Sequence, residues 1–111
     1  MGQSNEPLVE QWHKAAMAYV DAEAAAQILE ESRTSVLAER VGSLLEADPK
    51  MSYARAETKV KASIAWHDYI EGMVRARTNA NRLKVERDTI DKKFWVQKSE
   101  EANHRMEARM S

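Results

Sequence analysis

Residues 46–52 read EADPKMS, and how this stretch is read decides the fold. Pro49 pushes Asp48 out of helical geometry, and Asp48 or Ser52 can cap a helix that starts afresh. On either side the chain is rich in helix formers, with only 3 Gly and 2 Pro in 111 residues. β-branched and aromatic residues are sparse, so strands are not expected. EADPKMS is therefore the turn between two long helices.

Working back from the turn, apolar or small residues recur at Leu8, Trp12, Ala15, Tyr19, Ala22, Ala26, Leu29 and Val36. Steps alternating between four and three mark a heptad seam. Leu37, Val41, Leu44 and Leu45 carry the apolar face to the turn. Upstream of Leu8 the segment 1–6 is polar and expected to be disordered, with Asn5 as a candidate N-cap and Pro7 tolerable in the first turn. Forward from the turn, Tyr53, Ala56 and Val60 open a second stripe. It continues as Trp66, Tyr69, Met73, Ala76, Ala80, Leu83, Arg87, Ile90 and Phe94. The fold expected is all-α: a single helical domain over 7–111 with a helix at 7–46, a turn at 47–52 and a helix at 53–108. The two helices form an antiparallel two-helix hairpin, or coiled coil, with the second longer. An alternative three-helix bundle breaks near 78–81, where Thr78, Asn79 and Asn81 are mediocre helix residues.

Helix lengths carry a further expectation. At 1.5 Å per residue the first helix spans roughly 60 Å and the second roughly 84 Å. A hairpin hinged at Pro49 sets Leu29 opposite Ile70, Tyr19 opposite Ala80 and Trp12 opposite Arg87. The first helix then runs out near Ile90, leaving Phe94, Trp95 and Val96 uncovered. Three consecutive apolar residues cannot share one helix face, so at least one points away from the others. Leaving Phe94 and Trp95 bare forgoes roughly 1.5–3 kcal/mol each. A thin two-helix core also favours association, so a homo-oligomer or another partner is expected at Phe94, Trp95 and Val96.

Charge is unevenly placed although the whole chain sums to −1. Residues 1–51 hold four basic and nine acidic groups, whereas 52–98 hold eleven basic and six acidic. One reading is structural: an acidic first helix guides a basic second helix into antiparallel pairing. The other is a single-stranded nucleic-acid surface, with Arg75, Arg77, Arg82, Lys84, Lys92 and Lys93 on phosphates and Trp95 as a stacking platform.

Nothing in the sequence carries catalysis. There are no cysteines, and His13, His67 and His104 fall in no metal-ligand spacing. Adjacent carboxylates such as Glu30 and Glu31 diverge around a helix, and no Gly-rich phosphate loop occurs. No enzyme, cofactor or metal is expected. Absence of Cys and of a long apolar run suits a soluble chain of the reducing cytoplasm without a membrane partner.

The second half also carries a pattern: Tyr53, Ala54, Ala56 and Glu57; Ala76, Arg77, Ala80, Asn81, Lys84 and Val85; Phe94 and Trp95; then Ser99, Glu101, Ala102, Arg105, Met106 and Glu107. In these positions the chain resembles a group of small phage and prophage proteins encoded beside recombination genes for single-strand annealing proteins and exonucleases. The resemblance implies a non-enzymatic accessory role in DNA recombination, binding single-stranded DNA or a recombination protein. The alternative, from the residues alone, is an oligomeric coiled-coil adaptor or an inhibitor of a host protein.

Overall fold

A computed structural model of the chain describes residues 6–110. Three helices follow one another, α1 (Leu8–Ala47), α2 (Tyr53–Lys61) and α3 (Ile64–Met110), with no strand among the described residues. The molecule is a rod of 88 × 27 × 17 Å. The Asn5 cap and most of the segment expected to be disordered lie outside the described residues. Glu6 belongs to that segment but is anchored: Lys14 Nζ donates to its carboxylate at 2.8 Å and Gln11 Nε2 to its backbone carbonyl at 2.7 Å. Pro7 occupies the N-cap position.

At the turn, Asp48 ends α1 with its N–H on the Leu44 carbonyl. Its carboxylate accepts from Lys50 N. Ser52 caps α2, its hydroxyl accepting from Arg55 N at 3.2 Å. Thus Asp48 before Pro49 and Ser52 after it each satisfy a backbone group that a helix end leaves open.

Beyond the turn the expected single helix over 53–108 is corrected: it breaks at Ala62–Ser63 into α2 and α3. Ser63 makes the corner, donating from Oγ to the Val60 carbonyl at 2.6 Å and accepting there from Trp66 N at 3.2 Å. The basic side chains Lys59 and Lys61 in the last turn of α2 suit the negative end of that helix. The reward for the bend is burial. Trp66 turns into the closed end with Val41, Ala56 and Val60, backed by Leu37, Leu44 and Ile70. The alternative break near 78–81 does not occur; α3 runs through it and Ala80 is fully buried.

α3 lies antiparallel to α1, as Arg40 over Tyr69, Glu23 and Glu30 on Arg77, and Tyr19 under Arg87 show in succession. The register differs from that of a hinge at Pro49. Arg87 reaches Tyr19, and Trp12 lines one cleft with Phe94, about two turns further along than expected. Residues spent in the turn and at the Ser63 corner add no rise along α1, so the return path pairs later. Along the seam Ala15, Ala26 and Ala80 are the buried contacts, which allows the two backbones to approach closely. Two seam positions are corrected: Tyr53 is 57% and Trp12 39% exposed.

A candidate interaction site at the open end

The register shift changes the fate of the aromatic residues. Phe94, expected to emerge past the end of α1, is half-buried instead. Together with Val9, Trp12, Asp91 and Trp95 it lines a cleft of about 210 Å³ at the open end of the rod. Phe94 and Trp95 meet edge to face, with centroids 5.5 Å apart, an arrangement aromatic pairs favour. Lys98 Nζ sits 5.6 Å from the Phe94 ring. Trp95 remains 61% exposed and Val9 58%, so the wedge is apolar and open, with Asp91 its one charged wall. Val96 points elsewhere, to a shallow groove shared with Thr89, Lys92, Lys93, Gln97 and Glu100. The triplet thus divides as helical geometry requires.

The basic residues do not converge. Arg77 is half-buried between the helices: Nε and Nη2 clasp Glu30 at 2.9 and 2.6 Å while Nη1 reaches Glu23. That fork is the bidentate geometry guanidinium groups favour, and it takes Arg77 out of any phosphate-binding set. Here the charge asymmetry acts inside the fold, drawing the acidic helix onto the basic one. Arg75 pairs within α3 to Glu71 at 2.9 Å and, with Arg82, borders a groove beside Gly72 and Asn79. Lys84 is exposed, and Lys92 and Lys93 stand with Val96. Arg87, a seam residue, lies 4.8 Å over the Tyr19 ring and bonds Asp88.

Sequence reasoning missed Val9, Trp12 and Asp91 as members of the aromatic site. Trp12 was legible as a large ring at the start of α1, but placing it against Phe94 requires the true register. Among the described residues no cluster of three His, Asp or Glu side chains is set to hold a metal, and no helix is long and apolar enough to cross a membrane.

Bonds from Arg77 hold the Glu30 carboxyl below its ordinary value of 4.5 and push the Arg77 guanidinium up. A lowered carboxyl pKa contributes stability that is complete above the ordinary value and lost as pH falls through the folded one. Thermal melts followed into the acid range should show this loss. Arg77→Met should be less stable at neutral pH and lose less on acidification; equal acid slopes would mean the clasp does not hold the helices.

No family model, curated protein or solved structure matches the chain.

Proposed function

We propose that this chain is a non-enzymatic accessory protein, of the phage recombination type that its second half resembles, acting by binding single-stranded DNA or a recombination protein. The observation that carries the reading is the open aromatic wedge of Trp12, Phe94 and Trp95 at one end of a narrow rod. Stacked or inserted rings are how both bases and protein anchors are held. The basic side chains taken to meet phosphates are Arg82, Lys84, Lys92 and Lys93, spread along α3, because Arg77 is engaged by α1 and Arg75 by Glu71.

That count makes the DNA version quantitative. Four phosphate contacts give a slope of about −3 in log affinity against log salt for a single strand, or about 50-fold between 50 and 200 mM. Fluorescence anisotropy with labelled oligonucleotides measures it, and Lys92→Ala/Lys93→Ala should roughly halve the slope. Absence of binding at low salt removes the DNA version and leaves the protein partner.

A second reading, an oligomeric coiled-coil adaptor or inhibitor of a host protein, draws on the same wedge. Its walls are apolar apart from Asp91, and apolar contacts are insensitive to moderate salt.

A further inference from the structure

α3 outruns its partner helix. Val9 and Trp12, in the first turns of α1, stand at the level of Phe94 and Trp95, so among the described residues no other helix lies beside residues 99–110. All of them are exposed. These last turns of α3 have no tertiary packing behind them among the described residues, and packing of an apolar face supplies most helical stability in proteins. This overhang also carries a stripe: Trp95, Ser99, Ala102, Met106 and Met110 follow at four, three, four and four residues, and share one face. Met106 is 62% and Met110 83% exposed. The uncovered wedge and the uncovered stripe are therefore continuous on one side of one helix.

We propose that the wedge is covered by the overhang of a second copy of this chain, the two α3 ends running antiparallel about a two-fold axis. Such an isologous contact sets each copy's stripe on the other's wedge at once. With Met106 on the partner's Trp95, the axis falls between Glu100 and Glu101, and Ser99 of each copy faces Ala102 of the other. Glu100 and Glu101 flank that axis at about 100° apart around the helix and lie off the stripe to either side. Charge fits as well. Arg109 borders the stripe, and the same antiparallel register sets it opposite residue 92, next to Asp91, the acidic wall of the wedge. Closed two-fold pairing would stop a rod with one sticky end at two copies. The second copy and the ligand proposed above would occupy the same rings, so dimerisation and ligand binding are mutually exclusive.

The test is solution mass across a dilution series, without DNA. Wild type should reach twice 12.7 kDa and dissociate on dilution. Met106→Glu should weaken the dimer about a hundredfold or more, since each change counts twice across the axis, while the circular dichroism of the hairpin persists. Because the natural chain has no cysteine, Ala102→Cys gives a clean proximity readout. With a short bismaleimide linker, which spans the three-residue offset between the two copies' Cys side chains, it should form a covalent dimer far faster than Thr78→Cys in the middle of α3. A wild-type monomer throughout, a Met106→Glu dimer of unchanged affinity, assemblies larger than two, or equal crosslinking at both cysteines would each overturn the proposal.

Discussion

Trp66→Ala should cost roughly 3–5 kcal/mol, the usual loss for a large aromatic side chain removed from a core. Trp66 is 5% exposed and shares its cluster with Val41, Ala56 and Val60, one contributor from each of the other two helices and a second from α2. Its ring stacks on Tyr69 at 5.5 Å and 18°, and the Tyr69 hydroxyl donates to the Leu29 carbonyl of α1. Removing the indole therefore empties the one place where all three helices meet, and loosens the ring that ties α3 to α1. Domains of this size hold only about 5–15 kcal/mol in total, so the variant should be largely unfolded under conditions where wild type is intact. Urea denaturation followed by circular dichroism measures the shift in midpoint. Trp95→Ala supplies the contrast. Its ring lies 61% exposed at the far end, and its loss should change monomer stability by no more than about 0.5 kcal/mol. Equal midpoints for the two tryptophan variants would show that the closed end does not hold the rod together.

These two rings also show how far the sequence can be read. The helical seam was legible because alternating steps of three and four leave few other ways to bury Leu29, Val41 or Leu83, and Pro49 punctuates the chain unmistakably. The corner at Ser63 was not. KASIAW, residues 61–66, contains neither Gly nor Pro, and Ser63 breaks the helix through hydroxyl bonds that matter only because Trp66 gains burial by turning. A weak signal existed in the pair Lys59 and Lys61 followed by Ser63, basic residues at a helix end and then a capping residue. Missing this corner, and allowing no residues for the turn, moved the pairing of the whole return helix by about two turns. That error placed Phe94 in the open and kept Trp12 away from it. That the triplet divides followed from backbone geometry alone and needed no register; that Val96 is the residue set apart did not.

The basic stretch illustrates the other limit. Counting charge distinguished an acidic half from a basic half, but not a ligand surface from an internal pairing. Arg77 and Arg75 differ by two positions, yet one clasps α1 and the other faces outward on its own helix. Only the angle around α3 relative to Ala80 separates them, and that angle becomes useful once the buried face is known.

Ala80→Leu should destabilise the hairpin by about 1–3 kcal/mol, the ordinary cost of forcing extra methylenes into a packed contact. Ala26 and Ala80 have no exposed surface, and Ala15 is 8% exposed. Small side chains at these points set the distance between α1 and α3, and the Arg77 clasp on Glu23 and Glu30 spans that same gap. A leucine at 80 must either push the helices apart, which stretches the clasp, or slide α3 to a new register. Ala24→Leu is the control, since Ala24 is exposed on the outward side of α1 and should change stability by no more than about 0.5 kcal/mol. Urea midpoints of the two variants separate core crowding from helix propensity, because leucine is nearly as good a helix former as alanine at both sites. If Ala80→Leu melts no earlier than Ala24→Leu, close approach of the backbones is not what fixes the seam. Sliding has its own signature. It would carry Phe94 away from Trp12 and open the wedge, so a register change caused by crowding at Ala80 would appear at the far end of the rod as lost dimerisation, with the helix content retained.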